Sequence, residues 1–233
     1  MSELKKVLIT GSTGAIGEAC ARYFHHNGYF VYLHYRSKQD RANELHVELE
    51  NSEIIGFDIA NKDEVNAKLE NLEVDVLVNN AGITRDKLFF FMDDDDWEGV
   101  IDTSVNGTYY VTKAIMKNMI SNKRGSVVNV ASISGVVGNA GQTNYSAAKG
   151  AMIAFTKALC VEVARYKIRV NAVAPGLVES EMTKDMDLKE MKKAIPLKRV
   201  GKPEDVAECV FFLADKASYV TGEVLNISGG MVR

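Results

Sequence analysis

The sequence predicts a single α/β domain built on a doubly wound parallel sheet of seven strands, with helices on both faces. Three observations support this fold class. Short apolar runs alternate with helical patterns along the whole chain. The run Val74–Val78 is almost continuously apolar, as expected of a strand buried on both faces. The 233 residues suffice for one large core, and no repeat, linker or low-complexity tract divides residues 1–233 into separate domains.

The first half of the chain begins with a strand, a glycine-rich turn and a helix. Lys5–Thr10 is the predicted strand and Gly11–Gly17 is the turn. The helical pattern Glu18–Asn27 ends at Gly28, which suits a helix C-cap. Three more strands and two helices follow, with strands at Tyr29–Tyr35, Ile54–Phe57 and Val74–Val78 and helices at Lys38–Glu50 and Lys62–Leu72.

The second half contains the remaining three strands and the longer helices. Two helices are expected at Asp94–Asp102 and Thr103–Asn122, and a third at Tyr145–Tyr166. A polar, Met-rich stretch, Glu179–Lys193, precedes a helix that starts near Pro203. The three strands are Ser126–Val130, Ile168–Ala174 and Val224–Ile227.

Composition is ordinary for a soluble globular protein, and it argues against several function classes. The net charge of −3 gives no reason to expect nucleic acid or an anionic membrane as a partner. Cys20, Cys160 and Cys209 are far apart, show no metal-ligand spacing and are expected to be reduced. The first apolar run is too short for a signal peptide or a membrane span, so a cytoplasmic location is expected.

Polar residues and glycines fall where the predicted strands end. In parallel α/β sheets, ligands bind outside the carboxyl ends of the strands, so this edge is the candidate binding crevice. Strand ends also need such residues for turns, and this pattern alone leaves both interpretations open. The residues are Gly11–Gly17, Arg36, Asp58, Asn79, Ser132, Pro175 and Gly176.

The glycine-rich turn is the most specific part of this crevice. Between a strand and a helix it is typical of a dinucleotide-binding unit, because glycines let the backbone approach a pyrophosphate at a helix N-terminus. At the end of the second strand, Arg36 follows Tyr35 and no carboxylate occurs before Asp40. An acidic residue there suits the ribose hydroxyls of NAD, whereas an arginine suits the 2′-phosphate of NADP. NADP(H) is therefore the predicted cofactor, with a solvated surface charge as the alternative for Arg36.

Tyr145 and Lys149 lie four residues apart in a predicted helix, so their side chains leave the same face. A phenol has a pKa near 10, and a nearby ammonium favours the phenolate. The pair is a candidate acid–base group, although tyrosine and lysine at this spacing also occur by chance in ordinary amphipathic helices.

These features together resemble one known family over essentially the whole chain. The turn Thr10–Gly17, the Asn79–Gly82 sequence, Asn106, Ser132, the Tyr145/Lys149 pair and Pro175-Gly176 occur in the order typical of the short-chain dehydrogenase/reductase family. The resemblance implies a Rossmann-type fold and an NADP-dependent oxidoreductase. The family's turn is usually TGxxxGxG.

Here Ala15 replaces the middle glycine and Gly14 lies one place earlier, a change that cofactor binding should tolerate. The change also removes a basic side chain that some NADP-using relatives carry at the position of Gly14. Arg36 would then bear most of the phosphate recognition.

Within the family, three segments resemble the 3-oxoacyl-[acyl-carrier-protein] reductases, namely Asn79–Asp86, Tyr219–Gly222 and Gly229–Met231. The resemblance implies reduction of a 3-oxoacyl thioester, carried by acyl carrier protein or CoA, to the 3-hydroxyacyl thioester in fatty-acid or related biosynthesis. Acetoacetyl-CoA, polyketide or aryl-polyene intermediates, or another carbonyl compound remain alternatives. A non-catalytic nucleotide-binding regulator is a further alternative, although such a protein would not need the full catalytic set.

The resemblance implies a role for each member of that catalytic set. Ser132 would polarise the substrate carbonyl and Tyr145 would protonate its oxygen. Lys149 would lower the pKa of Tyr145 and hold the nicotinamide ribose. Asn106 would hold a water molecule in the proton relay.

The resemblance also implies which residues contact the cofactor. Asp58 and Ile59 would face the adenine, and Asn80 the adjacent ribose. Val178 and Ser180 would face the nicotinamide amide. The full predicted set is Gly11, Ser12, Thr13, Gly14, Ile16, Gly17, Arg36, Asp58, Ile59, Asn80, Ala81, Gly82, Tyr145, Lys149, Pro175, Gly176, Val178 and Ser180.

Family members are usually tetrameric, which implies a homotetramer formed through Thr103–Asn122, Tyr145–Tyr166 and the last strand. A small substrate lid is implied at about residues 179–202. Its apolar residues could contact an acyl chain or could pack on the rim as a small helix; they are Met182, Met186, Leu188 and Met191.

Three other features are weaker functional candidates. Asp93–Asp96 precedes a helix, so its carboxylates are expected to cap that helix and not to bind a metal. The four histidines lack metal-ligand spacing and are expected to have packing or surface roles; they are His25, His26, His34 and His46. Four basic residues could form a patch near the site entrance for an acidic carrier protein, or could be solvated charges; they are Lys123, Arg124, Arg165 and Lys167.

Overall fold

All seven expected strands are present in a computed structural model that describes residues 4–181 and 188–232. They form one parallel sheet in the order β3-β2-β1-β4-β5-β6-β7. The order reverses between β1 and β4, which is where the ligand crevice of a doubly wound sheet opens. The strands are β1 (Lys6–Ile9), β2 (Phe30–Tyr35), β3 (Ser52–Gly56), β4 (Val76–Asn79), β5 (Gly125–Val130), β6 (Ile168–Pro175) and β7 (Val224–Ile227).

The connections between strands are helical, as the alternating pattern predicts, and the Rossmann-type architecture is confirmed. The helices are α1 (Ala15–His26), α2 (Gln39–Glu48), α3 (Lys62–Leu69), α4 (Asp94–Ile101), α5 (Gly107–Asn122), α6 (Ser134–Val137), α7 (Thr143–Val163), α8 (Leu188–Ala194) and α9 (Pro203–Phe211). α1 begins at Ala15, three residues earlier than predicted, because Gly14 rather than Gly17 is its N-cap. The short helix α6 is not evident in the sequence.

Hydrophobic residues pack on both faces of the sheet. Successive strand residues point to opposite faces, so Val7 and Ile9 of β1 join one cluster whereas Leu8 joins the other. α1 and α9 cover the first face, where Phe24 contacts Phe211 edge-on with ring centroids 5.1 Å apart. α3 and α5 cover the second. Burying each such side chain contributes about 1.5–3 kcal/mol, so the sheet is held from both sides.

The chain between α4 and α5 departs from the prediction of two separate helices. A single π turn, Asp102–Asn106, joins them without interruption. A π turn carries one residue more than an α-helical turn, so it changes which side chains face inward. Thr103 and Ser104 are buried, whereas Asn106 is half-buried and donates a hydrogen bond to Asp102 Oδ1 at 2.7 Å.

Two further expectations concern the ends of elements and the cysteines. The C-cap of α1 is Asn27, and Gly28 follows it with φ = +79°, the left-handed conformation expected of a glycine after a helix. The three cysteines are free thiols. Nowhere in residues 4–181 and 188–232 does a helix have the length and apolarity needed to cross a membrane.

Candidate active site

The glycine-rich turn is fastened to the end of β4 by one threonine. Thr10 Oγ1 accepts hydrogen bonds from the backbone N–H groups of Asn80 (2.9 Å) and Ala81 (3.0 Å). The Asn80 amide donates in return to the carbonyl oxygens of Thr10 (2.9 Å) and Gly11 (3.0 Å). The two predicted cofactor segments therefore form one rigid unit at the topological switch point between β1 and β4.

The backbone of this turn leaves no room for a side chain at Gly11 or Gly17. A Cβ at Gly17 would lie 2.2 Å from the Gly11 carbonyl oxygen, and one at Gly11 would lie 2.9 Å from Ala81 Cα. Gly14 is exposed and caps α1 without any side chain, so the first N–H groups of α1 are open to a ligand. An open helix N-terminus beside two positions that only glycine can occupy fits a pyrophosphate group. The turn therefore fits a dinucleotide.

The side chains of three predicted cofactor residues contact other parts of the protein instead of the crevice. The Ser12 hydroxyl is buried and donates to the His34 carbonyl oxygen at 3.0 Å, so it faces the protein interior. Ile59 is 4% exposed and packs against Gly107, so its backbone rather than its side chain is accessible to an adenine. The Asn80 amide braces the turn. Their backbones still line the crevice, with Thr13, Ile16 and Gly82 half-buried beside them.

Arg36 and Asp58 lie at the carboxyl ends of β2 and β3, on the rim of the crevice. Arg36 is half-exposed, and its guanidinium lies 4.0 Å from an Asp58 carboxylate oxygen. The other Asp58 oxygen accepts a hydrogen bond from the Ala60 N–H at 2.9 Å, which fixes the carboxylate. A half-exposed pair at this distance is weak, so the guanidinium is available to an incoming anion.

Ser132, Tyr145 and Lys149 come together at the carboxyl end of β5. The Ser132 hydroxyl forms a hydrogen bond with Tyr145 that lowers the pKa of the phenol, so Ser132 is the donor in this bond. Ser132 Oγ also accepts from the Ser134 N–H at 3.1 Å, which fixes the hydroxyl in the site. Lys149 is 3% exposed, and its Nζ lies 5.6 Å from the centroid of the Tyr145 ring.

The protonation of the site is set chiefly by burial. Burial raises the pKa of Tyr145 to about 12; the Ser132 hydrogen bond opposes this and the Asp86 charge adds to it. Burial lowers the pKa of Lys149 to about 8. The pKa of Tyr145 lies above its usual value in the free protein because removing the phenolate from water outweighs the Ser132 hydrogen bond, and the expected lowering by Lys149 stays a prediction. Tyr145 is a neutral proton donor at pH 7.

The ammonium of Lys149 is held by the sheet. Its Nζ donates to the Val130 carbonyl oxygen at 2.7 Å and contacts Met152 Sδ at 3.5 Å. A lysine ammonium has three protons, so one remains for a further partner. The lysine is therefore fixed in position while keeping a donor for the site.

Two features bring α7 to this position. Asn144, the residue before Tyr145, is fully buried and donates to the carbonyl oxygens of Arg85 and Asp96, both at 3.0 Å. At Gly135 a Cβ would lie 2.6 Å from the Lys149 carbonyl carbon and from the Gly150 nitrogen. Glycine at 135 therefore allows the Ser132 loop to approach Tyr145, a requirement that the sequence analysis missed.

The structure does not bring Asn106 into the site. Its amide bonds to Asp102 on the outer side of the π turn. Ser104 instead is fully buried, and its hydroxyl has no hydrogen-bond partner within the described part of the chain. A Cβ placed on Gly82 would lie 3.5 Å from Ser104 Oγ and 3.5 Å from Lys149 Nζ. Ser104 Oγ and Lys149 Nζ thus face the same space beside Gly82, whereas the Asn106 amide is engaged by Asp102, so Ser104 is the better placed candidate of this turn.

The predicted nicotinamide side of the crevice follows β6. Pro175 ends the strand, and the Gly176 N–H donates to the Ile227 carbonyl oxygen at 2.9 Å. Val178 is 7% exposed and pairs with Gly201, which draws the start of the predicted lid toward its end. Ser180 is half-buried nearby. Met182 and Met186 lie outside the described residues.

The weaker functional candidates also have clear positions. In the described ranges, no group of acidic, histidine or cysteine side chains could hold a metal ion. Asp93 and Asp96 pair with Lys87 at 2.8 and 2.6 Å, and Asp93 makes no side-chain cap on α4, so the expected capping role is wrong for that residue.

Of the two interpretations of the basic residues, solvated charges fit the structure and a patch near the site entrance does not. Lys123 and Arg124 immediately precede β5, and Arg165 and Lys167 immediately precede β6. They lie at the amino ends of the strands, whereas Ser132 and Tyr145 follow the carboxyl end of β5. The two groups occupy opposite edges of the sheet.

A doubly wound sheet with a dinucleotide turn and a Ser–Tyr–Lys constellation defines a nucleotide-dependent oxidoreductase. A family model described as enoyl-(acyl carrier protein) reductase matches residues 11–232. Nodulation protein G of Rhizobium meliloti (strain 1021) is 43% identical over 97% of this chain and 96% of that protein. The 3-oxoacyl-[acyl-carrier-protein] reductase FabG of Thermotoga maritima is 42% identical over 99% of this chain and 98% of the relative.

The 3-oxoacyl-[acyl-carrier-protein] reductase of Synechocystis sp. is 40% identical over 97% of this chain and 96% of its own length. The chain therefore belongs to the short-chain dehydrogenase/reductase family, and it is an oxidoreductase. This membership implies a nicotinamide nucleotide as cofactor.

Proposed function

We propose that this protein reduces the 3-oxo group of an acyl thioester, carried by acyl carrier protein, to the 3-hydroxyacyl thioester, with NADPH as cofactor. The observation that carries the proposal is the neutral Tyr145 hydroxyl, hydrogen-bonded to Ser132 and backed by the buried Lys149. Two of the similar proteins described above carry the name of this activity. A carbonyl reduction needs a proton donor at the oxygen, and this arrangement supplies one.

The proton donor is well matched to reduction. With its pKa raised to about 12, Tyr145 holds its proton at pH 7 and can deliver it to an alkoxide. The Ser134 N–H holds Ser132 Oγ in place, and a substrate carbonyl oxygen beside both hydroxyls would take the Ser132 proton in place of the Tyr145 oxygen. Two hydroxyl donors on one oxygen would stabilise the negative charge that develops there. The ammonium of Lys149 would stabilise the phenolate left on Tyr145.

Reprotonation of Tyr145 needs a route from solvent, which we assign to Ser104 and Lys149. Lys149 has one N–H beyond its contacts with Val130 and Met152, and the buried Ser104 hydroxyl has no partner among residues 4–181 and 188–232. A water molecule between them would satisfy both groups, since both lie 3.5 Å from the position of a Gly82 Cβ. Ser104 then takes the water-holding role that the sequence analysis assigns to Asn106.

The cofactor would bind along the carboxyl edge of the sheet, with the backbone of Gly11–Gly17 holding the pyrophosphate. Arg36 would receive the 2′-phosphate, which favours NADP(H) over NAD(H). When bound, the reduced nicotinamide supplies the hydride. Val178, Ser180 and the Pro175-Gly176 end of β6 would bound the pocket on the far side.

A homotetramer is part of the same proposal. Four large apolar side chains near α5, α7 and β7 are exposed in the single chain, and they are Tyr109, Val161, Phe212 and Tyr219. β7 is also an edge strand, and edge strands are commonly covered by a partner. Sedimentation equilibrium that returned a monomer would contradict this assembly. The three free cysteines agree with a reducing compartment such as the cytoplasm.

The test is a substrate panel in which NADPH oxidation is followed and products are identified by mass spectrometry. Acetoacetyl-acyl carrier protein, acetoacetyl-CoA and a crotonyl thioester are compared at equal concentration. We expect the 3-hydroxyacyl product and a lower KM for the carrier-bound substrate; Tyr145→Phe should still bind NADPH but turn over about 10²–10⁴-fold more slowly. No NADPH oxidation with any 3-oxoacyl thioester would reject the proposal.

The other arms of the panel identify the alternatives. Reduction of the crotonyl thioester alone would indicate an enoyl reductase, the activity in the family model's description. Equal KM values for the CoA and carrier-bound substrates would favour a CoA-dependent reductase. Turnover only with polyketide-like or unrelated carbonyl compounds would place the chain elsewhere in the family, and NADPH binding without any turnover would indicate a regulator.

A further inference from the structure

His34 of β2 lies beneath the glycine-rich turn and is 2% exposed. Both ring nitrogens are engaged by backbone groups. The Gly11 N–H donates to Nδ1 at 2.9 Å, and Nε2 lies 3.0 Å from the Phe57 carbonyl oxygen. The histidine therefore bridges the turn after β1 to the end of β3, with its own strand between them.

The two partners fix the tautomer of this histidine. A backbone N–H can only donate and a carbonyl oxygen can only accept, so Nδ1 must be the acceptor and Nε2 must carry the proton. A charged imidazole would place two N–H groups against each other at Gly11. Burial also disfavours the charged ring, and it lowers the pKa of His34 to about 4. The ring is neutral, and it packs on Phe57 with centroids 4.2 Å apart.

The backbone of His34 contributes to the same arrangement. Its carbonyl oxygen accepts from Ser12 N at 2.9 Å and from Ser12 Oγ at 3.0 Å. His34 thus holds both Gly11 and Ser12 of the turn, and it lies two positions before Arg36. The residue that follows Phe57 is Asp58. All three segments expected to surround the adenosine half of the cofactor are therefore joined through His34.

We propose that His34 is a positioning residue for the cofactor, which sets the conformation of the glycine-rich turn by accepting the Gly11 N–H. The inference rests on the proposed dinucleotide-binding role of this turn. The remaining N–H groups of the turn and of α1 face a pyrophosphate only if Gly11 keeps its left-handed conformation, φ = +65°. His34 supplies the acceptor that keeps the Gly11 N–H directed away from the ligand.

The test compares three substitutions that separate the two hydrogen bonds. His34→Leu removes both, His34→Asn retains an acceptor at about the position of Nδ1, and His34→Gln retains a donor toward Phe57. The dissociation constant of NADPH is measured by fluorescence titration. We expect it to rise about tenfold in His34→Leu and to stay within about threefold of wild type in His34→Asn. Turnover at saturating NADPH should change little in His34→Leu and in His34→Asn.

A control separates positioning from general stability. Met119 is 1% exposed, packs at the amino end of β5 and is remote from the turn. Met119→Ala should lower Tm without changing the NADPH affinity. Hydrogen exchange of the peptide spanning residues 8–17, measured without cofactor, should be faster in His34→Leu than in Met119→Ala.

The outcomes are distinct. Failure of the wild-type protein to bind NADPH would reject the proposed function itself. If the wild-type protein and His34→Leu bind NADPH with the same affinity, only the role of His34 is overturned. The same holds if Met119→Ala weakens NADPH binding as much as His34→Leu does. If His34→Leu does not fold, the comparison is between the two amide variants, and NADPH affinity in His34→Gln equal to that in His34→Asn would overturn the inference.

Discussion

The Ser104 hydroxyl and the Lys149 ammonium both lie 3.5 Å from the point that a Cβ of Gly82 would occupy. Ser104 has no protein partner for its Oγ in the described structure, and Lys149 has a proton to spare. An unpaired buried hydroxyl costs about 1–3 kcal/mol unless water satisfies it. The absence of a side chain at residue 82 therefore provides space for a water molecule beside the catalytic pair.

Replacing Ser104 with alanine should slow proton delivery without weakening cofactor binding. We expect kcat to fall about tenfold and the NADPH dissociation constant to stay unchanged, because a relay contributes less than the 10²–10⁴-fold typical of a direct proton donor. The check is steady-state kinetics in H₂O and D₂O, in which the solvent isotope effect should increase. Asn106→Ala is the matched control, and a larger effect from it than from Ser104→Ala would restore Asn106 as the relay residue.

Lys149→Met should stabilise the fold while abolishing efficient catalysis. Burial lowers the pKa of Lys149 from 10.5 to about 8, so at pH 7 holding the charged form costs the folded state about 3 kcal/mol. Losing the hydrogen bond to Val130 offsets about 1 kcal/mol of the gain. We expect the free energy of unfolding to rise by about 1–2 kcal/mol at pH 7.

The sign of this effect follows from the proton balance. Between pH 8 and 10.5 the unfolded wild-type chain binds a proton that the folded chain does not, so wild-type stability rises with pH in that window. The advantage of Lys149→Met should therefore disappear by about pH 10.5. Urea unfolding at pH 7 and pH 10.5, at equal protein concentration, measures both differences. An advantage that persisted at pH 10.5 would show that burial of charge is not its cause.

Gly135→Ala should damage the site through its backbone contacts. The new Cβ would lie 2.6 Å from backbone atoms of Lys149 and Gly150, so the Ser132 loop must move away from α7. We expect a loss of about 1–3 kcal/mol in the free energy of unfolding and a lower kcat. Gly150→Ala is the control, since its Cβ would approach only the Gly135 carbonyl oxygen, at 3.4 Å. Similar kcat losses in both variants would argue against a specific role for Gly135.

Arg36→Ala should discriminate between the two nicotinamide nucleotides. Losing a charge-assisted contact with the 2′-phosphate should weaken NADPH about 10–100-fold and leave NADH almost unchanged. Fluorescence titration with each nucleotide gives the ratio. Arg41→Ala removes the same charge from α2, where the guanidinium is engaged by Glu18 and Glu44, and should affect neither nucleotide. Equal weakening of NADPH and NADH by Arg36→Ala would overturn the NADP assignment.

Much of the fold was predictable because buried parallel strands show clearly in the sequence. β4 and β7 are short apolar runs between turn residues, and all seven strands occur where such runs were expected. Helical spacing predicts that Tyr145 and Lys149 share one face, but only their order among the other motifs of the family distinguishes them from a chance pair. Helix ends were less exact: α1 begins at Ala15 because the Gly14 backbone, not a side chain, forms its N-cap.

The errors at the site have physical causes. The family resemblance implies Asn106, but the π turn that contains it, Asp102–Asn106, buries Ser104 instead. No periodicity in the sequence reveals one extra residue in a turn. The sequence predicts only a packing or surface role for His34, because its hydrogen bonds depend on where Phe57 and Gly11 lie in the folded chain. The position of the basic residues, in contrast, follows from the sequence, since residues that precede a strand lie at its amino end.

The separation of the two edges of the sheet has a practical consequence for attaching the protein to a surface. Arg124 is exposed at the amino edge, immediately before β5 and outside the segments through which the homotetramer is proposed to form. Cys20 and Cys160 are buried and Cys209 is half-buried. Arg124→Cys would therefore offer the more accessible thiol for coupling to a support or a dye. Chains immobilised through it would all present the carboxyl edge, with its crevice, to the solution.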